Sequence, residues 1–112
     1  MTPDSRKARL ARNEAFFREV NERIRDIGAD FAEAPDETYD FVCECPDPAC
    51  VDLVQMTVGE YEAIRSSPRR FVVAPGHEID EIEHVVEVNE GSEVVEKHGV
   101  AGEVAAALDP RR

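Results

Sequence analysis

Tryptophan is absent from this chain, and phenylalanine and tyrosine together supply only 6% of its residues. Aromatic side chains are the heaviest contributors to a small core, so a chain of 112 residues with so few of them builds a thin one. A single domain of that length buries a modest share of its surface, and a metal or an oligomer contact is a natural supplement. Long apolar runs are missing too. Nothing approaches the roughly 18 consecutive apolar residues of a membrane-crossing helix. The basic residues of Met1–Lys7 are not followed by the apolar stretch of a secretory signal. A cytoplasmic protein with no membrane partner is expected.

Positive charge is scarce: 13 Lys and Arg stand against 25 Asp and Glu, for a net −12. Residues 1–28 reverse the balance with seven basic and five acidic side chains, which leaves −14 on the rest of the chain. A strongly acidic body disfavours phosphate backbones, where affinity comes from cations that displace counterions. A basic arm holding Arg6, Lys7, Arg9 and Arg12 can still touch nucleic acid or an acidic partner. Internal repeats, low-complexity tracts and a glycine-rich phosphate loop are all absent. Ser66 and Ser67 precede Pro68 with no histidine nearby in sequence, and so read as helix-ending residues rather than nucleophiles.

Cysteine is rare, yet its three copies fall within eight residues as Cys43, Cys45 and Cys50. An odd, tight cluster in a reducing compartment points to metal binding rather than disulfides. If Tyr39–Cys45 is a strand, Cys43 and Cys45 leave the same face as Tyr39 and Phe41. Pro46-Asp47-Pro48-Ala49 is turn material that folds Cys50 back towards them. Zinc takes four ligands in a tetrahedron, so three thiolates leave one position to fill. His77, after Pro75-Gly76 at the end of an expected strand, is the first choice; His84, His98 and, more weakly, Asp47 compete. The competing reading is three reduced cysteines packed as small hydrophobes, and the flanking Glu44, Pro46 and Asp47 argue against it. Four filled positions leave no place for a reacting water, so the zinc is expected to be structural and the chain not an enzyme. His77-Glu78 has neither the order nor the spacing of a deaminase motif.

Residues 4–27 read as one helix, capped by Asp4 or Ser5 and ended by Gly28. Leu10, Phe17, Val20, Ile24 and Ile27 form its apolar seam, widened by Phe16. Asn13 lies in that seam as a register-setting residue for pairing with a second copy. Residues 29–38 form an acidic connector. Strands follow at Tyr39–Cys45 and Cys50–Met56, then a helix opened by the capping box of Thr57 and Glu60 and stopped before Pro68. Further strands are expected at Phe71–Ala74, Ile82–Val88 and Glu93–Lys97, the last two joined by a turn at Asn89–Ser92. The acids Glu78, Asp80, Glu81 and Glu83 read as a solvated face, residues 100–108 as a short helix, and 109–112 as a frayed tail. This order predicts an α+β fold: a long N-terminal helix, then a zinc-stabilised domain over 39–108 with a small, mainly antiparallel sheet and one or two short helices.

The run Phe41-Val42-Cys43-Glu44-Cys45, then Cys50, Met56-Thr57, Glu60-Tyr61-Glu62, Pro68, Phe71 and Pro75-Gly76-His77-Glu78 resembles a family of small actinobacterial proteins with a CxCxxxxC…PGH signature. Residues Arg12–Asn21 resemble the leading helix of that family. The resemblance spans most of the chain and implies His77 as the fourth ligand; it implies no activity. The residues themselves favour a non-enzymatic protein-interaction or regulatory module. Its helix would offer Phe16, Phe17, Val20 and Ile24, with Arg6, Arg9 and Arg12 nearby, to a protein partner or to a second copy. Two alternatives stand beside this one. One is a nucleic-acid or transcription-machinery binder that uses the basic arm; the other is a thiol-based redox or metal sensor.

Overall fold

Local signals set most of the elements in this computed structural model, which describes residues 3–31 and 34–111. Residues 32–33 of the expected connector and Arg112 of the expected tail lie outside the described residues. Helix α1 (Pro3–Phe31) leads, followed by β1 (Thr38–Val42), β2 (Leu53–Thr57), α2 (Val58–Ile64), β3 (Arg70–Val73), β4 (Glu83–Asn89), β5 (Ser92–Lys97) and α3 (Gly99–Ala107). The fold is α+β. Thr57 and Glu60 form the anticipated capping box: the Thr57 hydroxyl accepts from the Glu60 N–H at 3.0 Å, and the Glu60 carboxylate accepts from the Thr57 N–H at 2.9 Å. Ser66 ends that helical segment by donating to the Ala63 carbonyl at 2.7 Å.

The strands form two antiparallel sheets rather than one. β1 pairs with β2, with Phe41 opposite Val54, and β5 lies between β3 and β4. Backbone bonds beyond the strand ends tie the sheets together. Cys43 N–H donates to Asp52 C=O at 3.0 Å, prolonging the first ladder, and Glu44 N–H donates to Val72 C=O of β3 at 2.8 Å. The cysteine loop is therefore the seam between the sheets. One apolar cluster, with Phe41, Val54, Met56, Tyr61, Ile64, Val72 and Val94, lies on the α2 side of it. Phe41 and Tyr61 stack there with centroids 4.6 Å apart. The second cluster takes in Cys43 and Cys45 themselves, with Phe71, Val73, Ala74, Val95 and Ala105. A third, smaller one joins Ala11 of α1 to Ala101 of α3 and Ile82.

Helix α1 departs from the expected reading in three ways. It does not stop at Gly28 but runs to Phe31. Gly28 is buried, and a Cβ there would sit 3.1 Å from Val58 Cγ2 and 3.2 Å from Tyr39 Cε2, so this glycine permits close packing rather than ending the helix. The face turned inward is not the apolar seam. It carries Ala11, Glu14, Ala15, Arg18 and Asn21, all buried. Of the seam, Phe16 and Ile27 remain 62% and 60% exposed, and Leu10, Phe17, Val20 and Ile24 are half-buried. The reason is that each inward polar side chain finds a partner on a distant element, which offsets much of the penalty for burying it, although Glu14 Oε2 and Arg18 Nε are left without one. Glu14 joins Lys97 and Glu83. Arg18 donates to Pro68 C=O at 2.7 Å and to Ala105 C=O near the end of α3 at 2.8 Å, and its guanidinium lies over the Phe71 ring. Asn21 pairs with both backbone groups of Val42 at 2.8 Å, as a neighbouring strand would.

Two further expectations fail for the same reason. Glu83 is fully buried against Lys97, not part of a solvated acidic face. The described part of the expected tail does not fray: Asp109 is buried and ion-paired with Arg65, while Arg111 bridges Glu22 at 2.8 Å and Glu62 at 2.6 Å. Among the described residues, no helix is long and apolar enough to cross a membrane.

Candidate metal centre

Cys43, Cys45, Cys50 and His77 come together at the seam between the sheets, with their ligand atoms all within 4.8 Å of one another. Each arrives by a local device. Cys43 and Cys45 alternate with Glu44, so the thiols enter the second apolar cluster while Glu44 turns towards Tyr61 in the first. The reversal to Cys50 is an Asp47-centred turn: Asp47 Oδ1 accepts from Ala49 N–H at 2.9 Å, and Asp47 C=O accepts from Cys50 N–H at 3.0 Å. His77 closes a turn that starts at Ala74, with its N–H on the Ala74 carbonyl at 3.0 Å and Gly76 at φ 83°. Pro75 then Gly76 is the pairing a type II turn demands.

His77 points Nδ1 at the sulfurs, 3.5 Å from Cys43 Sγ and 3.7 Å from Cys50 Sγ. Its other nitrogen, Nε2, lies 3.1 Å from Asp52 Oδ2. No known protein family, curated protein or solved structure matches this chain. The remaining fourth-ligand candidates are elsewhere: His84 and His98 stack on each other with ring centroids 5.9 Å apart, and the Asp47 carboxylate is committed to its own turn. Three sulfurs and one imidazole nitrogen this close together could hold a single metal ion.

Burial raises the Cys43 thiol pKa, despite the Ala74 N–H that donates to its sulfur at 3.2 Å. Burial likewise pushes Cys45 up to about 11, against the pull of the Asp47 N–H. Without a cation these thiols stay neutral near pH 7; a cation bound among them favours the thiolates and expels protons. Cys50 and His77 are only partly buried and form the solvent side of the cluster.

Three residues that sequence reasoning did not assign to the site lie against it. Glu44, read from sequence only as a polar neighbour arguing against an apolar setting for the cysteines, is fully buried and accepts from Asn21 Nδ2 at 2.8 Å, Tyr61 OH at 2.9 Å and Val72 N–H at 2.9 Å. It clamps the residue between two cysteines to α1, α2 and β3 at once. Burial raises its carboxyl pKa, with those three donors pulling the other way. Asn13, expected to set a dimer register, donates to Pro46 C=O at 3.1 Å and so fixes the loop against α1. A polar residue in an apolar seam was the available signal, and its target was invisible. Asp52 carried no signal at all. Of the expected partner-binding residues, Phe16, Arg9 and Arg12 are exposed, Phe17, Val20 and Ile24 are half-buried, and Arg6 is ion-paired with Glu81 at 2.8 Å.

Proposed function

We propose that this chain is a non-catalytic, cytoplasmic module in which Cys43, Cys45, Cys50 and His77 hold one structural zinc ion and α1 presents its outer face to a protein partner. A tetrahedral zinc with sulfur at about 2.3 Å and imidazole nitrogen at about 2.0–2.1 Å separates the two donor types by about 3.6 Å. The Nδ1 separations of 3.5 and 3.7 Å to Cys43 and Cys50 agree with that. Soft sulfur with one imidazole suits zinc better than the oxygen-seeking cations, and a filled set leaves no position for a reacting water.

The partner reading is carried by one observation: α1 is anchored through its polar side while Phe16, Val20, Ile24 and Ile27, with Glu19 and Arg23, make up an outer face of the same helix on which Phe16 and Ile27 are exposed. An apolar stripe at helical spacing, left outside a domain with few large apolar residues, fits a helix-to-groove contact. The nucleic-acid alternative draws less support, since Arg6 is engaged by Glu81 and the body carries the −14 noted above.

Elemental analysis of the purified protein tests the first half. Near-stoichiometric zinc is expected, with loss in Cys50→Ser and His77→Ala and a lower melting temperature after chelation. Full metal in His77→Ala would refute the ligand set. For the second half, the double variant Phe16→Glu/Ile27→Glu changes only exposed positions, whereas deleting α1 would strip out Glu14, Arg18 and Asn21 and unfold the core. Binding partners retained by the folded double variant would refute the docking face.

A further inference from the structure

We propose that Asp52 is a positioning residue for the metal: its carboxylate accepts a hydrogen bond from the Nε2–H of His77 and so holds Nδ1, unprotonated, towards the sulfurs. This rests on the zinc reading above and adds a residue to it. An imidazole has one proton to place on two nitrogens, and a ligand nitrogen must be free of it. In this chain the choice is made by geometry. Nε2 faces Asp52 Oδ2 at 3.1 Å, while Nδ1 faces Cys43 and Cys50. Histidine ligands commonly give their second N–H to a carboxylate, which fixes the ring and raises its basicity as a ligand.

Asp52 is held where this requires. Its carbonyl accepts from Cys43 N–H at 3.0 Å, so its backbone is registered to one ligand, and it follows Cys50 by two residues. The short run Cys50-Val51-Asp52 thus carries both a sulfur and the carboxylate that aims the imidazole. Asp52 is 54% exposed, and water screens a contact of that kind. Losing it should therefore cost towards the lower end of the 10–100-fold loss of metal affinity usual for such outer partners.

The test is competition of the full-length protein against a chelator of known zinc affinity, with Asp52→Ala, Asp52→Asn and the control Asp40→Ala. Asp40 is an exposed acid in β1, so its loss makes the same change in net charge without touching His77. Asp52→Ala should bind zinc about 10-fold more weakly, Asp52→Asn should recover part of that because its amide oxygen still accepts, and Asp40→Ala should match the parent. Long-range proton–nitrogen NMR of the zinc-loaded parent should show His77 metallated at Nδ1 and protonated at Nε2. Zinc bound tightly by the parent, with Asp52→Ala equal to it or His77 metallated at Nε2, would overturn the role of Asp52 alone. A parent that takes up no zinc would overturn the zinc reading and this role with it.

Discussion

Lys97→Met is the perturbation that most directly tests how this protein keeps a polar helix face inside. The Lys97 ammonium is fully buried, paired with Glu14 and Glu83, both also fully buried, and lies 4.4 Å from the Phe71 ring centroid. Methionine nearly matches the volume, so the variant removes the charge with little cavity. Two carboxylates then face each other without a cation, and breaking a buried pair in this way costs about 3–5 kcal/mol. A domain of 112 residues has only about 6–17 kcal/mol of stability in total, so the loss is a large share of it. The triad holds two acids for one base, and burial already raises the Glu14 pKa well above the ordinary carboxylate range, with Lys97 pulling it back. A raised acid contributes stability that is fully present below its unfolded value, about 4.3, and is lost as pH rises through the folded value. Removing Lys97 takes away the charge that pulls Glu14 down, so the deficit of Lys97→Met should shrink as pH falls. Urea denaturation of parent and variant under the same metal conditions, compared at matched pH between 5.5 and 8.5, reads this directly, because the cysteine cluster is common to both. Glu14→Gln leaves a balanced Lys97–Glu83 pair and should gain on the parent as pH rises. A Lys97→Met protein within 1 kcal/mol of the parent at pH 7, or a deficit that does not fall towards acid pH, would refute the argument.

Asn21→Leu should cost about 2–4 kcal/mol in the same assay, because the Val42 N–H and C=O lose their partner inside the protein and Glu44 Oε2 keeps only Tyr61 OH of its two donors. Equal stability would mean that the strand-like pairing of α1 with β1 contributes nothing. Gly102→Ala should destabilise by about 1–3 kcal/mol, although alanine is the better helix former, because its Cβ would sit 3.0 Å from Lys97 C=O and against Arg69 Nη1. Gly59→Ala in α2 has only Thr57 Oγ1 at 3.8 Å beside it and should instead stabilise by up to about 1 kcal/mol. If both alanines shift the melting temperature in the same direction, close packing is not what requires glycine at 102.

Much of the candidate site was legible because its parts are local. Extended alternation carried on past the end of β1 puts Cys43 and Cys45 on one side, although the expected strand to Cys45 stops at Val42; Pro-Gly positions His77, and the Asp47 turn returns Cys50; each depends on residues a few positions apart. The cluster within 4.8 Å is the meeting of those local devices. The capping box at Thr57 and the hairpin through Gly91 were legible for the same reason. Glu44 was misjudged because its three donors come from α1, α2 and β3, and nothing beside it in the chain announces them.

By itself, then, the sequence determined the order and type of the helices and strands, though not their ends, and which donors a metal would meet, since backbone period, turn chemistry and side-chain spacing act over a few residues. The tertiary structure alone decided that α1 faces inward with Glu14, Arg18 and Asn21, that Gly28 is a contact and not an end, and that Asp109 is tied down. Apolar periodicity predicts burial only when polar groups have no better option than water. Here Lys97 lies 83 residues from Glu14, and Ala105 lies 87 from Arg18, so the partners that make the polar face the buried one exist only once the chain has folded.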